Sequence, residues 1–284
     1  GKAFEVIDRL SDGLRASDRE RIHRPWPDNW LHPRTLRPEA KRFYRRQLGA
    51  LQRWSKVAPA SPWPRFFKGC IHWRLYDFEA AVEEMSFLEC FLERRYDWLR
   101  YFLGLMRLTL RQYHKARLDF EAALRCHDGF WHARCHLAET FLCQGEHSAA
   151  FAEFDRAAEG DARAEVWAWR GEALLWLGDY PRASSWLNRA VGAGAWLGFG
   201  WRGAARMLAG GLKASSRDLD RALLPGNLDA EAYIWRGELK RRLGRFDEAL
   251  GDLNRAVSLN ESNPWARVNR ALTCKEMGDR GAMR

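Results

Sequence analysis

The chain has 284 residues, is 46% apolar and 30% charged, and carries a net charge of +10, a balance that excludes an intrinsically disordered chain. No apolar run approaches the ~18 residues that a membrane-crossing helix needs. Six cysteines without a paired framework point to free thiols in a reducing, cytoplasmic setting.

Fifteen tryptophans are far above ordinary usage and demand an explanation. The sequence opens on Gly1 rather than Met, so its natural start is expected upstream.

The basicity is concentrated at the N-terminus. Residues 1–60 hold 14 Lys/Arg against 7 Asp/Glu, while the remaining residues are nearly balanced at 33 against 30. Between Arg34 and Lys56 there are eight basic residues and one acid, Glu39. Phe43, Leu48, Leu51 and Trp54 recur there at helical spacing, and Pro38 suits a first helical turn. The segment predicts one basic amphipathic helix at 38–57. Residues 1–61 are therefore read as a helical cap or extension, with a solvated charged face. The alternatives are a nucleic-acid or acidic-partner patch at 34–56 and docking on a membrane surface.

From residue 62 the sequence repeats. A-E-V-W-A-W-R-G-E-A-L-L-W-L-G-D-Y at 164–180 aligns without gaps to A-E-A-Y-I-W-R-G-E-L-K-R-R-L-G-R-F at 230–246, and N-R-A-V follows at 188–191 and 254–257. Extending this phase places repeat starts near 62, 97, 131, 164, 196, 230 and 264, about 34 residues apart. The eighth position is small throughout: Gly69, Gly104, Ala138, Gly171, Gly203, Gly237 and Ala271. Ala recurs at the twentieth position, with Ser215 as the departure, and a bulky apolar residue recurs at the twenty-fourth, from Met85 to Leu253. Gly145, Gly178, Gly210, Gly244 and Gly278 stand at the fifteenth position, as a helix C-terminus prefers. The pattern predicts pairs of helices in which a small residue on the first lets the second approach closely.

This spacing resembles the tetratricopeptide repeat over residues 62–284. The resemblance implies an all-α fold, a right-handed α-solenoid of antiparallel helix pairs whose first helices line a concave, segment-binding surface. The chain ends inside the second helix of the seventh repeat, so a longer natural protein is expected.

By the same resemblance, positions 2, 6, 9 and 13 of each first helix face the concavity. The candidate groove residues are Phe67, Trp98, Phe102, His132, His136, Glu139, Trp169, Glu172, Trp201, Trp235 and Glu238. Aromatic faces beside carboxylates suit a cationic or amphipathic protein segment, and indoles also suit a glycan. Packing between neighbouring helices is the plainer role for Trp169, Trp201 and Trp235. The Lys/Arg/Asn carboxylate clamp of chaperone-tail binders is absent, and of an asparagine ladder only Asn269 is present. Arg170, Arg202, Arg236 and Arg270 occupy the seventh position. Asp218 and Asp252 stand sixteen residues after Arg202 and Arg236, and Glu84 sixteen after Lys68, whereas Trp186 stands there for Arg170. These predict a structural ladder between paired helices.

His132, Cys135, His136 and Glu139 could share a helix face, but one helix seldom completes a zinc shell, so no metal is expected. Gly198 to Gly203 matches G-x-G-x-x-G without the preceding strand that a dinucleotide site needs, so no cofactor is expected. Seven glycines between 192 and 211 make the fifth repeat the expected soft unit. No nucleophile elbow, P-loop or kinase motif occurs, and the chain is read as a non-enzyme. The function expected is a scaffold binding a protein or peptide segment in a Trp/Glu-lined groove. Its alternatives are the substrate-recruiting region of a larger enzyme such as a transferase, or an RNA or acidic-partner binder acting through the N-terminal helix.

Overall fold

The repeat phase emerges as helix boundaries. The computed structural model describes residues 38–61, 63–88, 97–159, 163–224, 229–261 and 263–278; the side chains of residues 38–40, 74 and 98 lie outside that description. The described residues form 14 helices and no strand. Helix α1 (Pro38–Val57) precedes six pairs: α2 (Trp63–Arg74) with α3 (Phe78–Leu88), α4 (Asp97–Thr109) with α5 (Tyr113–Cys126), and α6 (Trp131–Cys143) with α7 (His147–Ala157). Then come α8 (Arg163–Trp176) with α9 (Tyr180–Gly192), α10 (Gly198–Leu208) with α11 (Leu212–Ala222), and α12 (Ala230–Arg242) with α13 (Phe246–Leu259). Helix α14 (Pro264–Met277) is the first helix of a seventh unit. The five described cysteines are free thiols.

Each pair is joined by the same turn. The fifteenth residue of every unit has positive φ: Tyr76 at 65°, Arg111 at 58°, and glycine from Gly145 at 79° to Gly278 at 78°. Glycine takes this left-handed conformation without the Cβ penalty that the first two units bear at Tyr76 and Arg111.

The pair itself is held by the contact that the small eighth residue permits. A Cβ built on Gly104 would meet Phe120 at 2.6 Å, on Gly171 Leu187 at 2.5 Å, on Gly203 Leu219 at 2.6 Å and on Gly237 Leu253 at 2.7 Å. All four partners occupy the twenty-fourth position and are fully buried. Ala81, Ala116, Ala150, Ala183 and Ala249 close the same interface from the twentieth position, each 0% exposed.

Around this apolar contact runs a ladder of ion pairs on the twenty-third residue of each unit. Asp218 accepts from Arg202 at 2.8 and 2.9 Å and from Arg206 at 2.6 Å. Asp252 accepts from Arg236 at 2.8 and 2.9 Å and pairs with Lys240 at 2.8 Å. Glu84 binds Lys68 and Arg65, Asp119 binds Arg107 and Arg100, and Glu153 binds Arg134 and Arg156. Apart from Arg156, which shares α7 with Glu153, the bases come from one turn or another of the first helix. The fourth unit replaces the acid with Trp186, and Arg170 stacks on that indole at 4.3 Å. Arg170 is nonetheless paired, with Asp155 of the preceding helix α7, a partner that spacing within one repeat does not reveal.

Successive units join through both layers. Each second helix packs on the next first helix, and first helices from α4 to α14 also touch one another in sequence. Helix α1 packs against α2. First helices therefore form a layer of their own along the solenoid, from α4 to α14.

Two substitutions test this packing. Gly171→Ala drives a Cβ into the branch point of Leu187 and is expected to cost about 1–3 kcal/mol. Gly69→Ala meets only the flexible Met85 side chain and gains helix propensity, so its expected change is within about 1 kcal/mol of zero. Equal losses in thermal or urea melts would contradict the contact. Ser215, 0% exposed, holds the Ala position of the fifth unit with an unpartnered hydroxyl. Ser215→Ala is expected to stabilise the chain by about 1 kcal/mol, and a loss of stability would show that the hydroxyl has a partner.

Candidate functional site: a groove of tryptophans and carboxylates

The concave stripe is uneven along its length. In the first two units it is aromatic: Phe67 stacks on Trp63 at 6.0 Å and Phe102 sits half-buried against Trp73 at 6.4 Å. Trp98 shares that stretch of sequence, but its side chain lies outside those described.

Polar groups enter with α6. His132 stacks on Trp131 at 3.5 Å. His136 is buried between Tyr101, Phe120 and Trp169, and its Nδ1 lies 3.0 Å from Glu139 Oε2. Burial pushes the phenol of Tyr101 and the thiol of Cys135 upward, first by desolvation and then through nearby charge. His132 is turned onto an indole, and among the described residues no group of three or more His, Cys, Asp or Glu could hold a metal ion. Gly198 to Gly203 lies at the start of α10 and follows helix α9. Its last glycine serves the close contact with Leu219.

The three sixth-position tryptophans are half-buried. Trp169 meets His136 edge-on at 4.7 Å and Trp131 at 6.4 Å, while Trp201 and Trp235 pack on the core of the fourth and fifth units. Their contacts are those of packing residues, with part of each ring left exposed.

The wet part of the groove is formed by tryptophans that the candidate set omitted. Trp176, at the thirteenth position of the fourth unit, is 55% exposed. It lies 6.0 Å from Trp235 of the sixth unit and 6.5 Å from Trp265 of the seventh, itself 59% exposed. The fifth unit lies between them in sequence. Its α10 places Gly200 against α12, where a Cβ would stand 3.7 Å from that of Ala232, an ordinary van der Waals distance. A signal for Trp176 was available: it stands seven residues after Trp169 and four after Glu172, on the same helix face.

Trp176 Nε1 donates to Glu172 Oε1 at 3.3 Å. Glu172 is half-buried, and its carboxyl is held well above the usual carboxylate range. Burial is the main cause; the charges of Glu231, Glu139 and Asp229 add to it, and the Trp176 hydrogen bond opposes it. Asp229 caps α12, accepting from the backbone of Glu231 at 2.9 Å and of Ala232 at 3.2 Å. Glu238 has a different setting. It is buried and accepts from Arg241 at 2.7 and 2.8 Å and from Arg242 at 2.7 Å, so its charge is already compensated.

Residues 103–165 and 230–263 each match a family profile described as the tetratricopeptide repeat. No curated protein matches the chain. Among solved structures, a tetratricopeptide repeat protein from Parabacteroides merdae is similar with a TM-score of 0.64 at 16% identity, over 80% of this chain and 90% of that one. The Cut9–Hcn1 hetero-tetramer of APC/C gives 0.58 at 16% identity, over 84% of this chain and 48% of that one. Yeast Tom70 gives 0.58 at 13% identity, over 88% and 63%. At such identities the likeness is one of fold. The phased helix pairs, the glycine contact within them and the two profile matches agree: the chain is a tetratricopeptide repeat protein.

Proposed function

We propose that the chain is a protein-interaction scaffold whose concave face holds an extended protein segment by a basic side chain seated at Glu172. One observation carries this reading. The acids of the ion-pair ladder and Glu238 each bind a guanidinium or an ammonium, whereas Glu172 makes no ion pair among the described residues. It is instead crowded by other acids. A carboxyl in that position is driven toward its neutral form, and an incoming cation would restore its charge. The exposed indoles of Trp176 and Trp265 offer faces on which a guanidinium or ammonium stacks. Half-buried Trp169 and Trp235 give apolar floor on either side. The repeat architecture is typically a non-catalytic scaffold, and a segment held along first helices of several units accords with it.

The expected outcome is read with extended peptides that differ only in one central residue, Lys or Arg against Gln. Glu172→Gln should weaken the basic peptides about tenfold or more, equivalent to ~1.4 kcal/mol, and leave the Gln peptide unchanged. Trp176→Ala should weaken them by roughly 2 kcal/mol with little change in the fold, since the ring is more than half exposed. Equal binding of the peptide pair, or glycan binding indifferent to Glu172→Gln, would overturn the cation reading.

A further inference from the structure

Helix α1 divides its surface differently from the amphipathic pattern expected of it. Tyr44, Leu48, Leu51 and Ser55 are half-buried on one stripe, the side that packs against α2. Phe43 and Trp54, which the sequence placed with Leu48 and Leu51, point to water at 50% and 42% exposure, and Val57 is 85% exposed. At 100° per residue these three share one ridge within about 60° of arc, spanning roughly 20 Å of helix. Arg46 and Arg53 are exposed along the flank of that ridge and make no ion pair among the described residues. A cap would need only the Leu48 and Leu51 stripe. The second, uncovered apolar ridge beside uncompensated cations has no role in the solenoid.

We infer that α1 docks on an anionic phospholipid surface, its Phe43–Trp54–Val57 ridge entering the headgroup boundary while the flanking bases meet lipid phosphates and carboxylates. No helix among the described residues is long and apolar enough to cross a membrane, so the helix lies on the surface. Charge complementarity selects an anionic partner. The chemistry of the ridge selects among anionic partners. An indole and a phenyl ring could stack on nucleic-acid bases, but an aliphatic side chain as open as Val57 gains nothing from a phosphate backbone. It gains from an acyl boundary, where Trp also settles with its N–H toward water. Both features are needed, since apolar insertion and attraction to anionic lipid together give stable interfacial binding. The groove is formed by other helices, so docking and segment binding are separate properties.

Flotation of the full chain with vesicles tests this. Phosphatidylcholine vesicles containing a minority of phosphatidylserine should carry the chain, pure phosphatidylcholine should not, and added salt should weaken the binding. Phe43→Ser with Trp54→Ser should lower vesicle binding about tenfold or more, with an unchanged circular dichroism spectrum because both rings are exposed. Arg46→Gln with Arg53→Gln should lower it and flatten its salt dependence. Failure to bind the anionic vesicles would overturn the proposal. So would vesicle binding indifferent to the two Ser changes, or salt-sensitive capture of a single-stranded RNA in their place.

Discussion

A missing Cβ organises this molecule. Where Gly171 faces Leu187, or Gly237 faces Leu253, the first helix of a unit sits so close to the second that no larger residue fits without displacement. That approach decides which face of each first helix is consumed by its partner. The opposite face then forms a continuous inner surface as units stack through helix α10 onto α12 and α12 onto α14. The third unit keeps the register with Ala138, itself fully buried.

The same geometry governs the charges. Basic residues on first helices reach acids on second helices at the rim of the contact, and the pairs repeat with the units. Breaking such a pair strands its buried partner without a counter-charge. Against that background Glu172 is the exception. It stands on the inner face, surrounded by Glu139, Glu231 and Asp229, with an indole N–H as its hydrogen-bond donor. A carboxyl so placed weakens the free protein at neutral pH, and the cation-binding role proposed for it rests on that setting.

Much of this was legible from residue spacing. The all-helical solenoid followed from the 34-residue spacing, and the bonds from Arg202 to Asp218 and from Arg236 to Asp252 run as the sixteen-residue spacing implied. What escaped depends on relations between units. The salt bridge from Arg170 to Asp155 crosses a repeat boundary, and Trp176 meets Trp235 and Trp265 across the intervening fifth unit. The compensation of Glu238 by Arg241 and Arg242 was readable, because bases three and four residues on share a helix face with the acid. The division of α1 was readable as well, because Phe43 and Leu48 stand five residues apart, about 140° around the helix, and so cannot share one stripe.

In the free groove Glu172 stands without a cationic partner among the described residues, and its carboxyl is raised above the ordinary range. Stability as a function of pH, compared between the chain and Glu172→Gln, tests it most directly. A carboxyl whose folded pKa is raised binds more protons when folded than when unfolded. Stability then falls as pH rises from the ordinary carboxylate range through the raised value. The wild-type chain should therefore lose stability over that window relative to Glu172→Gln, which should be the more stable protein at neutral pH. A Glu172→Gln chain that is less stable at neutral pH, with the same pH slope as the wild type, would mean that Glu172 is ionised and paired, and the account of the groove would fail.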